Sequence, residues 1–161
     1  MMTAKKGSDD RKMSSENIRL IDKENLVRYA QIYAEAFSCE PWNDHWKIED
    51  AKVHIKELLG SKQAYGLEYV IDGHIVGFIL GTSMLFSYGR TFEINDLAVD
   101  PQYHRQGIAK KLLHTLLSEL KSQNIKGVHL ITSNDGFLQK FYGQFDFKKE
   151  TRVVLMGAEL K

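Results

Sequence analysis

Between Val99 and Leu117 the chain reads VDPQYHRQGIAKKLLHTLL, the end of an apolar strand, a turn with Pro101, His104, Arg105 and Gly107, then an amphipathic helix. The first amides of a helix have no intrahelical partner and lie at the positive end of its dipole, so an anion is stabilised there. Gly107 has no Cβ and lets a ligand approach the backbone, and Ala109 is nearly as small. The amides of residues 106–110 open toward the loop, and Arg105, Lys110 and Lys111 add positive charge. Such an arrangement suits a pyrophosphate better than a single carboxylate. Taken alone, the turn also reads as a plain strand-to-helix connection, because short glycine motifs are common. Just upstream, FEINDLAV carries Glu93, Asn95 and Asp96. Strict alternation puts Glu93, Asn95, Leu97 and Val99 on one face, and a bulge would change which of these side chains share it. Downstream, FYGQFDF sets Tyr142 on a helical stripe, where packing in the core competes with a chemical role.

These groups need a frame. Residues 1–16 are polar and aperiodic and read as a tail, with 17–161 as a single domain. A strand is expected over Ile18–Ile21 and helices over Glu24–Phe37 and Lys47–Leu59, the second with Ala51, Ile55, Leu58 and Leu59 on one face. Two strands, Ala64–Ile71 and His74–Thr82, flank Asp72-Gly73, a strong hairpin signal. A strand over Thr91–Val99 precedes a helix over Gln106–Ser122 with a stripe of Ile108, Leu112, Leu113, Leu116, Leu117 and Leu120. A strand over Val128–Thr132, a helix over Gly136–Phe145 and a closing strand over Arg152–Leu160 complete the order. The class is mixed α/β (α+β), with an antiparallel meander and one helical crossover joining parallel strands.

The chain has 161 residues, 43% hydrophobic and 27% charged, with a formal net charge of +1, which does not mark a nucleic-acid or membrane partner. Its one cysteine, Cys39, rules out an internal disulfide and fits the cytoplasm. The N-terminal segment lacks the apolar core of a secretory signal, and no apolar run reaches the roughly 20 residues of a membrane span. His45, His54, His74, His114 and His129 show no metal-ligand spacing, so no metal is expected. Neither a Gly-x-Gly-x-x-Gly nor a Walker A pattern is present.

The run His104-Arg105-Gln106-Gly107-Ile108-Ala109, after Leu97-Ala98-Val99-Asp100-Pro101, resembles the acetyl-CoA signature of the GNAT superfamily of N-acetyltransferases. That signature is Arg/Gln-x-x-Gly-x-Gly/Ala; His104 departs from it at the first position. The resemblance implies a GNAT fold, with a mixed central sheet of about six or seven strands and about four flanking helices. It implies acetyl-CoA as cofactor, held by Leu97, Ala98 and Val99 along the pantetheine arm. Residues His104, Arg105, Gln106, Gly107, Ile108, Ala109 and Lys110 would hold the pyrophosphate. By the same resemblance Asn134 lies beside the arm. Glu93 matches the general base of the histone-acetylating branch, with Asp96 the alternative. Tyr142, in a Phe-Tyr-x-x-x-Gly-Phe-like run where Asp146 replaces the glycine, matches the general acid beside the thioester sulfur.

The resemblance places the acceptor near the first two helices and their loop, where Tyr33, Trp42 and Asn43 stand, with Tyr88 in the loop over Phe86–Arg90. Aromatics beside carboxylates suit a cationic amine, although Tyr33 and Trp42 also fit a core role. Cys39 is a bystander to direct transfer. The function implied is acetyl transfer to a primary amine, of a small molecule or a peptide, by an enzyme for which a homodimer is a familiar assembly. The alternatives are a non-catalytic acyl-CoA-binding sensor or regulatory module of the same fold and a plain phosphate- or nucleotide-binding domain.

Overall fold

The long apolar stripes find their partners across a single sheet. The computed structural model describes residues 16–161. Its elements are β1 (Glu16–Leu20), α1 (Leu26–Phe37), α2 (Ile48–Gly60), β2 (Ala64–Ile71), β3 (His74–Phe86), β4 (Gly89–Val99), α3 (Ile108–Ser122), β5 (Gly127–Leu130) and α4 (Gly136–Gly143). Strand order follows the chain, β1-β2-β3-β4-β5; the first four are antiparallel and β5 lies parallel to β4. This is the mixed α/β architecture expected, with four α-helices and five strands among the described residues rather than six or seven strands. The expected tail lies outside the described residues except for Glu16, which opens β1.

Asp72 and Gly73, at φ 48° and 81°, make the tight turn that only left-handed residues allow, and the twisted β2–β3 hairpin follows from it. Phe86–Arg90, read as a loop, instead closes the second hairpin, with Phe86 opposite Gly89. One layer of core packs Tyr29, Ala30, Ile32 and Tyr33 of α1 and Ala51, Ile55 and Leu59 of α2 on Phe78, Leu80 and Ala98. The other packs Ile108, Leu112, Leu113, Leu116 and Leu120 of α3 on Ile79, Phe92, Ile94 and Val99. Each fully buried Leu or Ile contributes about 1.5–3 kcal/mol by leaving water.

The closing strand expected over Arg152–Leu160 does not form. A strand exists only within a ladder, and this segment gains none: Arg152 turns back onto Glu150, and Val153, Val154, Leu155 and Met156 are exposed.

Where β1, β2 and α1 meet, Glu68 is fully buried, and its carboxylate accepts from Arg19 Nε, from the Tyr29 hydroxyl and, at 3.4 Å, from Asn25 Nδ2. Tyr29 Oη in turn accepts from the Asp22 amide at 2.9 Å. Removing one oxygen therefore takes a donor from a buried carboxylate and the acceptor from a backbone amide together. Tyr29→Phe is expected to lower stability by about 2 kcal/mol, read from the urea midpoint at constant slope; a change within error would show the cluster to be structurally idle.

Candidate active site

The turn after β4 is staked from below. Arg28 of α1 donates to the Ile75 carbonyl at 2.8 Å and to Asp100 Oδ2 at 2.7 Å, while Asp100 Oδ1 accepts the Gln102 amide at 3.0 Å. Above it, Arg105 and Gly107 both take left-handed conformations, at φ 61° and 76°. Gly107 is the N-cap of α3, which explains why the helix starts at Ile108 rather than at Gln106. Among the described residues no side chain caps that end, and a Cβ built on Gly107 would meet no atom within 4 Å. The first amides of α3 therefore face open space at the positive end of the dipole. Backbone donors, close access and positive potential fit a pyrophosphate, so this structure accommodates that part of coenzyme A.

Two expectations about the cradle change. The His104 ring lies 2.9 Å from the Val99 carbonyl through Nε2, so that nitrogen ties the turn to the strand end instead of meeting an anion. Lys111 reaches away, to Glu16 Oε2 and Tyr69 Oη, both at 3.1 Å. Arg105, Gln106 and Lys110 are exposed around the opening, and Ile108 is buried in the core, offering only its amide.

The edge of β4 is open beside the cradle. Parallel pairing with β5 runs from Thr91–Gly127 to Ile94–Leu130 and stops, while β4 continues to Val99. Over residues 95–99 the β5-facing edge of the strand lacks a ladder partner among the described residues, which suits an extended amide-bearing chain. Asn134, beyond β5, accepts from Gln139 Nε2 at 2.8 Å.

A bulge decides which carboxylates share a face. Leu80 pairs with Asp96, yet the next residue, Gly81, pairs with Ile94, leaving Asn95 as the extra residue of β4. Gly81 is needed there, because a Cβ on it would lie 2.1 Å from the Glu93 carbonyl oxygen. Strict alternation therefore fails: Phe92, Ile94, Leu97 and Val99 turn to α3, and Glu93, Asp96 and Ala98 turn to α1 and α2. Glu93 and Asp96 thus share a face that Leu97 and Val99 do not, and Ala98 is core, so its side chain is closed to a ligand.

On that face Asp96 is 5% exposed and its Oδ2 lies 2.9 Å from His54 Nε2. The hydrogen bond to Asp96 holds the His54 imidazole above its usual pKa, against the opposing effect of burial. Tyr33 and Trp46 pack on the His54 ring at 4.9 and 5.5 Å between centroids, and Phe37 carries the aromatic wall on to Trp42. Tyr33 is buried, and its hydroxyl is shifted upward chiefly by that burial. Asn43 takes a left-handed turn at φ 49° in the same loop. Tyr88 is apart from this cluster: its ring stacks on Phe86 at the tip of the β3–β4 hairpin.

Tyr142 packs on the α3 side against Phe141 and Phe147, and burial pushes its hydroxyl up to about 12. Asp146 replaces the expected glycine and takes the left-handed bend, at φ 64°. In sequence His54 is weighed only as a metal ligand and given no other role. Its signal lay in the α2 stripe, since residue 54 falls between Ala51 and Ile55 on the apolar face, where an imidazole needs a polar partner.

Residues 26–147 match the family model described as the acetyltransferase (GNAT) family. An "uncharacterized N-acetyltransferase" of Archaeoglobus fulgidus is 26% identical over 136 residues, covering 82% of this chain and 92% of that protein. Among solved structures, a possible acetyltransferase from Clostridium difficile superposes with a TM-score of 0.79 at 18% identity, over 91% of this chain and 98% of the other. An aminoglycoside acetyltransferase from an uncultured soil metagenomic sample superposes with a TM-score of 0.70 at 22% identity, over 91% of this chain and 97% of the other.

Proposed function

Because the chain belongs to the acetyltransferase (GNAT) family and is an acyltransferase of that type, we propose that it transfers the acetyl group of acetyl-CoA to a primary amine of a small molecule or peptide. The observation that carries this reading is the uncapped, glycine-opened N-terminus of α3 beside the unladdered edge of β4. Acetyl-CoA, when bound, supplies an acetyl thioester to the attacking amine. Backbone amides of residues 108–110 hold the pyrophosphate, with Arg105, Gln106 and Lys110 around it, and Leu97 and Val99 offer the strand edge to the pantetheine arm. Asn134, between β5 and α4, would meet the same arm.

The sheet separates the two sets of groups. Glu93 and the aromatic wall of Tyr33 and Trp42 lie toward α1 and α2, with Asn43 in the loop after α1; Tyr142 lies toward α3. The amine meets the acetyl group past Ile94 and Leu130, where the β4–β5 ladder ends. Glu93 accepts a proton from the attacking nitrogen. Tyr142, protonated below pH about 12, donates a hydrogen bond to the developing negative charge. Because a thiol titrates near 8.5, full transfer from so weak an acid is uphill, and hydrogen bonding is its chief contribution. Tyr142→Phe is accordingly expected to lower turnover about 10-fold to 100-fold, with acetyl-CoA affinity unchanged; full activity in that variant would remove Tyr142 from the mechanism. Cys39, the single cysteine, fits a cytoplasmic site of action.

Calorimetric titration with acetyl-CoA, coenzyme A and ADP tests the reading. Tighter binding of acetyl-CoA than of ADP is expected, because only the former uses the β4 edge. Equal binding would favour a plain nucleotide site.

A further inference from the structure

Resting on the function just proposed, we infer that His54, oriented by Asp96, takes a proton from the incoming ammonium group before the nitrogen attacks. The geometry makes three separate contributions. First, Asp96 is nearly inaccessible to water and its Oδ2 is 2.9 Å from Nε2, so in the neutral ring the proton sits on Nε2 and Nδ1 keeps the lone pair. Second, the imidazole side chain is 34% exposed, so it is open to an arriving molecule in a way that Asp96, at 5%, is not. Third, the Tyr33 and Trp46 rings pin the imidazole, and the wall they begin with Phe37 and Trp42 is a surface that attracts cations. The bulge at Asn95 is what brings this about, since without it Asp96 would turn to α3.

The charges around His54 agree with the role. Asp96 faces it from β4 and Glu57 from its own helix, and both favour the imidazolium; Tyr33 of α1 meets it through its ring, and Trp46 has no titratable group. Asp44 acts on Tyr33 from the loop. An imidazole held above its usual value works closer to the ammonium it must deprotonate, which makes that proton transfer less uphill.

The balance is as follows. R–NH3+ and the acetyl thioester give the amide, the free thiol and one proton. One N–H proton passes to His54 Nδ1 and from its exposed edge to solvent. The C–N bond forms, the C–S bond breaks with its pair on sulfur, and the second N–H proton passes by way of Glu93 to that sulfur. Asp96 touches no reacting atom in this scheme and is a positioning residue.

Two readouts test it. NMR titration of the His54 ring in the free protein is expected to give a pKa above about 6.5 that falls in Asp96→Asn. The pH–rate profile, with an aliphatic amine identified by thiol release, is expected to show His54→Gln slowed about 10²-fold at pH 7 with the KM for acetyl-CoA unchanged. That deficit should close toward pH about 10, where a lysine-like amine of pKa about 10.4 frees itself. Asp96→Asn should move the acidic limb of the profile in step with the NMR value, which a merely structural role would not do. A His54 titration indifferent to Asp96→Asn, or a His54→Gln deficit that is absent or equal at every pH, overturns the inference while leaving the acetyltransferase intact. Wild-type protein that binds acetyl-CoA but serves no amine overturns the function and the inference together.

Discussion

Gly107→Asp protein is expected to fold normally and to bind acetyl-CoA about 100-fold more weakly than wild type, a loss of about 2.7 kcal/mol. Gly107 sits at φ 76°, where most side chains are strained but Asn and Asp are tolerated, and a Cβ there meets nothing within 4 Å. The fold therefore has room for the substitution, whereas a pyrophosphate held there as proposed would not. Asparagine and aspartate have nearly the same shape, so Gly107→Asn isolates the steric part and is expected to weaken binding by less than about 10-fold. The remainder is charge: a carboxylate at the amide cradle repels a pyrophosphate and competes for the same N–H donors. Because the turn is exposed, the difference between the two variants should shrink as salt shortens the screening length from about 8 Å toward 3 Å. Calorimetry at low and high salt measures it. Equal affinities for Gly107→Asp and wild type would place the pyrophosphate elsewhere.

The second large effect is on turnover. Glu93→Gln keeps the shape and hydrogen-bonding reach of the side chain but cannot take a proton, and should lower the rate of acetyl transfer about 10²–10⁴-fold. Acetyl-CoA affinity should stay within about two-fold, because the bulge turns Glu93 to the α1–α2 face, away from the side on which α3 packs. A parallel loss in binding would mean that Glu93 supports the cofactor instead. Steady-state rates combined with a direct binding measurement separate the two outcomes. The Glu93→Gln loss should persist at high pH, whereas that of His54→Gln should fade, because the two groups handle different protons of the same nitrogen.

Local chemistry explains which parts of this arrangement could be read in advance. Asp72-Gly73 specifies its hairpin through backbone conformation alone, and the Ile108–Leu120 stripe specifies α3 through its period, so neither depended on the rest of the chain. The glycine at 107 likewise marks the left-handed residue at the start of α3. The face of each carboxylate on β4 was not legible, because it depends on one extra residue, Asn95, whose cause lies on the neighbouring strand at Gly81. A period of two applied across that point reverses Asp96 and Leu97. His104 read as an anion donor, yet the turn brings its ring back to the Val99 carbonyl five residues earlier. His54 and Asp96 are 42 residues apart, and only packing of α2 on the sheet joins them. The apolar run near Val153 has the composition of a strand, but composition supplies no ladder.

The most direct test of the central claim is release of free thiol from acetyl-CoA across a panel of aminoglycosides, polyamines, amino acids and short peptides. The site described here predicts thiol release that depends on at least one of these amines and matches the acetylated product mole for mole. Thiol release that no amine stimulates, from protein shown to bind acetyl-CoA, would contradict it and identify the chain as a binding module built on the same fold.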